Sequence, residues 1–535
     1  MREFDYVIVG AGAAGAVIAA RLTEDPAIRV LLLEAGPTDH HILLRMPLGA
    51  HSSRYPDTLW KYETEPEPGI GGRRLSIPRG KVLGGSSTVN AMLYSRGHPR
   101  DYDQWRQMGC DGWGFADVLP YFKRSERSWR GESLYHGGGG ELRVSAIPSR
   151  WNYHREVMAA VRTLGLPTTE DHHGENPEGF GFGETTTGRG RRSSSSRAFL
   201  HPIMHRRNLT IVTEALATHI LFEAKRAVGV EYERRGRSDV ARASEVILAG
   251  GTYNSPQLLM LSGIGPAEEL RAHGIPLVAD APNLGGNLSE HCSIFLACDA
   301  TDSLISQLRF DKVAISLAAW WVLRSGAFAH QATSAHALLR TRPELERPDV
   351  QLFYNPARVD SRPWFPLLAP RLPHEISCLV VLLHPQSRGR LTLRSSDPRD
   401  PPRILLNVLQ ERGDVETLIA GIRLARGPFQ TPPLSDLIIR ERMPGPLAQS
   451  DAELEAYIRA NLVVSHHPVG TCAMGPDASS VVDPQLRVRG VEALRVCDAS
   501  IMPTVPGGNT NAPSTMIGEK AADLIRGRTL APAPV

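Results

Sequence analysis

The chain has 535 residues, 41% of them apolar and 22% charged, with a formal net charge of +3. That length exceeds one ordinary core and predicts two interleaved domains of a globular protein with apolar residues enough for a large interior. So small a charge excludes a dedicated nucleic-acid binder. Six cysteines (Cys110, Cys292, Cys298, Cys378, Cys472, Cys497) without a CxxC pair or a histidine partner pattern exclude a recognisable zinc or iron–sulfur site and give no disulfide framework.

The first element is a short apolar run, Tyr6 to Val9, read as a buried strand that ends in Gly10-Ala-Gly12-Ala13-Ala14-Gly15 and a helix-like run to Leu22. Gly10 permits a tight turn, Gly12 lets backbone approach a pyrophosphate, and Gly15 lets the helix pack closely on the strand. The helix N-terminus then offers unpaired N–H groups to phosphate. Val30 to Leu33 reads as a second strand, and Glu34, with Ala35 and Gly36 after it, stands where an acid accepts hydrogen bonds from a ribose. Together these predict a dinucleotide site and leave NAD and FAD both open. Glu3 and Asp5 before the apolar stretch and glycines within it argue against a signal peptide. No stretch reaches the roughly 20 apolar residues of a membrane span. The expectation is a cytoplasmic protein with free thiols, in at most peripheral contact with the inner membrane.

After a loop-rich, aromatic stretch comes Arg79-Gly-Lys-Val82-Leu-Gly84-Gly85-Ser-Ser-Thr-Val89-Asn90-Ala91-Met-Leu93, a backbone-exposing turn suited to a cofactor's polar atoms. Residues 97 to 121 are helical and aromatic, a core pattern, and 156 to 164 form a helix. Arg189 to Arg192 with Arg197 read as a solvated basic loop. Residues 208 to 249 read as a sheet with turns at Gly229 and around 234 to 239. Gly250 to Pro266 is a strand-to-helix join with Pro256 near its first turn and Gly263 past its end. Composition shifts near residue 300, where prolines, aromatics and a second set of strands begin (350–354, 376–383, 390–393). Val313 to Leu323 suits a buried helix. A helix is predicted at 414 to 426, and another starts at Ser450 with Glu453 in a capping-box spacing. The chain closes on Ser465-His466-His467-Pro-Val-Gly-Thr471, then Asp498-Ala499, then Gly507-Gly-Asn509-Thr-Asn511-Ala512-Pro-Ser, a loop feeding a helix over 513–525. The predicted division is 1–299 as a dinucleotide-binding region, 300–462 as a substrate region, and 463–535 returning to the first.

These motifs, in this order and over nearly the whole chain, resemble the glucose–methanol–choline (GMC) family of flavin-dependent alcohol oxidoreductases. Residues 80–103 and 251–265 resemble its two signature segments, and His467-Pro-Val-Gly-Thr and Gly508-Asn-Thr-Asn-Ala-Pro its active-site segments. The resemblance implies an α/β fold, with a discontinuous Rossmann-like FAD-binding domain and an α+β substrate domain built on an antiparallel sheet. It implies FAD, with Gly10, Gly12, Ala13, Ala14 and Gly15 on the pyrophosphate and Glu34 and Ala35 at the adenosine ribose. Ala217 would meet the adenine. Val82, Gly85, Asn90, Ala91 and Leu93 would line the isoalloxazine side, Asp498 and Ala499 the phosphate and ribityl region, and Asn511 and Ala512 the flavin near the last helix. Where some members carry the histidine that bonds FAD covalently, this chain has Val89, which implies non-covalent FAD. His467 would take the alcohol proton and Asn509 orient the substrate while hydride passes to flavin N5.

His466, next in an extended segment, is expected to face the other way. The implied substrate is a primary alcohol, aliphatic or aromatic, with dioxygen or a quinone-type molecule as electron acceptor. Choline is the alternative, disfavoured because residues 326–340 contain no acid that would hold a quaternary ammonium. A lyase or photodecarboxylase and an NAD-dependent dehydrogenase are the alternatives of another class.

Overall fold

A computed structural model describes residues 3–49, 56–148, 152–358, 361–362, 364 and 371–535. A first sheet runs, edge to edge, through Leu209–Val212, Val30–Leu33, Glu3–Val9, Arg237–Leu248, Arg226–Arg234 and Ala215–Glu223. Glu3–Val9 lies parallel to both of its neighbours, and Leu494–Val496 joins Arg237–Leu248 in parallel. The run Val30-Leu-Leu-Leu33 is buried on both faces, as a covered parallel sheet requires. Helices Ala13–Leu22 and Asn511–Ile525 pack on one another beside this sheet. Gly518 makes the approach possible, since a Cβ there would stand 2.7 Å from the Ala14 carbonyl oxygen.

The second sheet orders Ile438–Met443, Cys292–Ala300, Glu375–Leu382, Val350–Asn355, Ala335–Leu339 and Gly179–Gly181, antiparallel throughout. Helix Arg412–Phe429 covers it, with Gly421 against Val380. The fold is thus α/β, a mixed sheet with a parallel core and an antiparallel edge beside a wholly antiparallel one, as the sequence implied in outline. Ser450 and Glu453 form the capping box that starts helix Asp451–Asn461.

Four local expectations change. The second sheet takes Gly179–Gly181 and Cys292–Ala300 from the first 300 residues, so the boundary at 299/300 cuts a strand. Gly229 is no turn; it sits inside Arg226–Arg234, where a Cβ would meet the Ala241 carbonyl oxygen at 2.3 Å. Pro256 lies inside helix Gly251–Leu261 rather than at its first turn. Helix Phe310–Leu323 is not buried: only Val313 and Trp320 are.

Candidate active site

One elongated cavity joins the first turn of the chain to its last helix. It is lined by Gly10, Gly12, Ala13, Ala14, Glu34 and Ala35 at one end, by Gly85, Asn90, Ala91 and Leu93 along its length, and by His467 and Asn509 at the other. Ala217, Asp498, Ala499 and Asn511 also line it, whereas Gly15, Val82 and Ala512 are not part of its wall. Gly15 stands behind it, so close to the strand end that a Cβ would fall 1.9 Å from the Gly10 carbonyl oxygen. Gly10 has φ +102°, which only glycine adopts at little cost. A Cβ on Gly12 would have only the Ala249 carbonyl oxygen near it, at 4.0 Å, so this backbone is left open for something other than protein.

Each Glu34 oxygen accepts one bond from backbone. Its Oε2 accepts from the Ala11 N–H at 3.0 Å and its Oε1 from the Gly36 N–H at 2.9 Å. Burial pushes its carboxyl up to about 7. It therefore fixes the turn around the glycines, with one lone pair per oxygen left over for a ribose. Asp498 is likewise committed, accepting from Gly251 N–H at 2.8 Å, Ser255 Oγ at 2.6 Å and Ser500 N–H at 2.8 Å.

Pro256 explains how the far end is held. A proline inside a helix frees the carbonyl four residues back, here that of Thr252. Thr471 Oγ1 donates to that oxygen at 2.7 Å, and Thr252 Oγ1 donates to the Pro468 carbonyl at 2.7 Å. The segment carrying His467 is thereby docked on the helix by two reciprocal bonds. Its backbone N–H donates to Glu290 Oε1 at 2.6 Å.

The His467 ring lies between two partners. Its Nδ1 is 3.0 Å from His291 Nδ1, and its Nε2 is 3.0 Å from Asn509 Nδ2. His291 Nε2 is 3.0 Å from the Leu383 carbonyl oxygen. A carbonyl only accepts, so His291 carries its proton on Nε2 and presents a lone pair at Nδ1. His467 then donates from Nδ1, which leaves its Nε2 unprotonated and facing Asn509. Burial, then the charges of His291, His466 and Arg79, holds the His467 pKa well below the usual histidine value. The ring is therefore neutral near pH 7, and its basic nitrogen is the one at the cavity. Asn509 Oδ1 is buried without a hydrogen-bond partner among the described residues.

His466 also lines the cavity, against the expected alternation. Its backbone is left-handed, φ +63°, and Arg79 Nη1 donates to its carbonyl at 2.6 Å. That twist breaks the extended geometry on which alternation depends. His336, by contrast, stacks on Phe353 and is 2.8 Å from Gln351 Nε2, outside the cavity.

Three residues carry more than the sequence reading gave them. His291 sets the His467 tautomer. Glu290, whose carboxyl burial lifts to about 8, ties the His467 and His291 backbones together. Arg192, read as part of a solvated loop, is buried and donates through Nη1 to Asn90 Oδ1 at 2.7 Å and the Ser87 carbonyl at 3.1 Å, holding the cavity's middle loop. The sequence signal for the first two was a Glu-His pair opening a strand; Arg192 had none beyond its neighbours.

The wall fits a flavin dinucleotide: an open glycine backbone at the helix N-terminus, a shaped channel, and an unpartnered Asn509 oxygen. Among the described residues its acids are Glu34 and Asp498 alone, and no His/Cys/Asp/Glu cluster could hold a metal.

Comparison with known proteins points the same way. The GMC oxidoreductase models match residues 4–293 and 385–518. The chain is 44% identical to mitochondrial choline dehydrogenase of Mus musculus, covering 98% of this chain and 90% of that one. It is 42% identical to an alcohol dehydrogenase [acceptor] of Pseudomonas putida, covering 98% and 95%. Pyridoxine 4-oxidase from Mesorbium loti superposes with a TM-score of 0.88 at 31% identity, covering 98% and 100%.

Proposed function

The chain belongs to the GMC oxidoreductase family, and from that premise we propose that it is an FAD-dependent enzyme oxidising a primary alcohol, aliphatic or aromatic, to the aldehyde. Bound FAD supplies the hydride acceptor. The protein's part is to hold the alcohol and take its proton. The observation that carries this reading is the His467 ring, neutral, with its basic Nε2 at the cavity and its Nδ1–H spent on His291. His467 Nε2 accepts the hydroxyl proton, and the Asn509 amide orients the alcohol oxygen. Gly10, Gly12 and the N-terminus of helix Ala13–Leu22 take the pyrophosphate, and Asn511 opens the last helix, whose dipole favours negative charge on the reduced ring.

A neutral alcohol is preferred over choline on one ground. Both acids of the cavity wall have their oxygens engaged by protein donors, and the face of Trp60 already carries the Lys81 ammonium at 4.4 Å. A quaternary ammonium finds no free carboxylate there, and the Trp60 face is already taken. Val89, standing before Asn90, cannot bond the cofactor, so FAD is held non-covalently. The electron acceptor is a quinone-type molecule, with dioxygen the second reading. The enzyme works in the cytoplasm, in at most peripheral contact with the inner membrane. No helix among the described residues is long and apolar enough to cross a membrane.

The test is spectroscopic. The purified protein shows flavin bands, and acid precipitation leaves the yellow colour in the supernatant. Anaerobic addition of a panel of alcohols bleaches the bands, fastest with uncharged primary alcohols. Fastest bleaching by choline overturns the substrate assignment, and a coloured pellet overturns non-covalent binding.

A further inference from the structure

Among the described residues, helix Phe310–Leu323 carries the densest group of exposed large hydrophobic side chains. Seventeen large hydrophobic side chains are exposed among the described residues, and six of them lie in this helix. Trp321 is 62% exposed, Val322 74%, Leu323 71% and Ile315 69%. Scattered apolar residues on a surface need no explanation, but a concentrated patch does. Val313 and Trp320, seven residues apart, form the single narrow stripe that holds the helix to the body. Trp320 packs with Met46 and Ala329 and donates through Nε1 to the Gly190 carbonyl at 2.6 Å. Beyond that stripe the exposed surface is mostly apolar, broken by Asp311, Lys312 and Ser316.

At its C-terminal end the patch is bordered by cations. At the helix's C-terminal end Arg324 lies over the Trp320 ring at 4.8 Å and the Trp321 ring at 6.0 Å. Beneath it runs the tight hairpin of Thr187–Gly188 and Arg191–Arg192, whose turn residue Gly190 is pressed against the Arg324 carbonyl. Partial burial, and then the charges of Arg324, Arg45 and Arg197, lower the Arg191 pKa, which places these four cations together. Among the described residues none of Arg45, Arg191 and Arg324 is paired with a carboxylate, whereas the helix's own acid, Asp311, is paired with Arg309 at 2.6 Å.

We propose that helix Phe310–Leu323, with the arginines at its C-terminal end, seats the enzyme on the surface of an anionic lipid bilayer. The helix lies in the interface plane with its bare face among the acyl chains and the arginines at the headgroups. The charge border selects this occupant over a second copy of the chain. The acid that a second copy's helix would bring, Asp311, is already paired with Arg309, while anionic headgroups neutralise the arginines. The hairpin also connects the docked surface to the cofactor cavity. Arg191 faces outward from it, and Arg192, the next residue, holds Asn90 in the cavity wall. The seat therefore brings a lipid-dissolved electron acceptor close to the reaction, although docking itself does not depend on which alcohol is oxidised.

The experiment is vesicle sedimentation of the FAD-loaded full chain, with vesicles of phosphatidylcholine alone or mixed equally with phosphatidylglycerol. The protein pellets with the mixed vesicles, much less with phosphatidylcholine, and less as salt is raised. The double variant Trp321→Ser, Leu323→Ser loses pelleting while its flavin content and thermal melt match the parent. Arg191→Gln and Arg324→Gln each weaken the anionic-vesicle partition about fivefold. Equal pelleting of parent and double variant overturns the proposal. So does absence of pelleting with either vesicle, or a lipid-free dimer in sedimentation velocity that the double variant abolishes.

Discussion

The two ends of the cofactor cavity are built on opposite principles. At Gly10–Gly15 the protein contributes backbone and the absence of side chains. Gly10 and Gly15 have no room for a Cβ, and both oxygens of Glu34 are occupied by N–H groups of the same turn. At His467–Asn509 it contributes side chains with atoms left over: Asn509 Oδ1 and Glu290 Oε2 are buried without partners among the described residues, and the unprotonated His467 Nε2 accepts only from a neutral amide, that of Asn509 at 3.0 Å. An anchor has to be the same before and after turnover, so crowding and full satisfaction suit it. A base has to change protonation state, so its basic nitrogen rests on a neutral amide that the substrate hydroxyl can displace. Damage at the first end therefore appears as lost cofactor and stability, and at the second as lost rate.

The sharpest test of that contrast is His467→Ala. Turnover falls by about 10²–10⁴-fold, the usual contribution of a general base, while FAD content and the melting temperature stay close to the parent. A variant that instead arrives without FAD would erase the distinction between anchor and base. The mirror experiment is Gly15→Ala. A Cβ placed 1.9 Å from a backbone oxygen forces the helix away from the strand, at a cost of about 3 kcal/mol. Chemical denaturation and the flavin-to-protein ratio both register it, and whatever protein retains FAD turns over normally.

A smaller effect is expected at His291, which we assign as a positioning residue acting through His467. His291→Phe leaves the His467 Nδ1–H without an acceptor. The ring then exchanges its proton to Nε2 and withdraws the base from the cavity. A buried unsatisfied donor costs about 1–3 kcal/mol, so kcat drops roughly 10–100-fold with KM little changed. His291→Gln, whose carbonyl accepts from His467 and whose amide donates to Leu383, restores most of the loss. Equal losses in the two variants would reduce His291 to a packing residue.

Local patterns made the anchoring end legible: strand, glycines, helix and acid all fall within 36 consecutive residues, and each has its own steric reason. The reaction end was legible only as a resemblance, because His467, Asn509 and His291 come from segments far apart that the fold alone assembles. Glu290 and His291 looked like any polar pair before a strand. Arg192 was hidden because burial of a guanidinium is set by what packs over it, and four arginines within the nine positions 189–197 read as solvated. Helix 310–323 failed in the opposite sense. From Val313 to Leu323 all its residues but Ser316 are apolar, and so apolar a helix is ordinarily a buried one; only the contact surface reveals that the body covers a single stripe.

The weakest but most discriminating prediction concerns acid. His384, at the reaction end beside Gly507, is pushed down to about 3, by burial first and then by Arg347. Between the unfolded value of about 6.5 and that depressed value, the unfolded chain takes up a proton that the folded chain refuses. Its contribution to stability is whole above pH 6.5 and is lost as pH falls through that window, on the order of 1–2 kcal/mol by pH 5. Glu34, at the anchoring end, acts in the opposite sense. Burial lifts it to about 7, so from the unfolded value of about 4.3 upward the folded chain keeps a proton that the unfolded chain releases, and stability falls as pH rises toward 7. Melting curves recorded from pH 6.5 to 5 separate the two ends. His384→Gln loses less stability on acidification than the parent, and Glu34→Gln loses more. Three superimposable pH profiles would mean that neither group titrates as its burial dictates, and that the two ends differ in geometry alone.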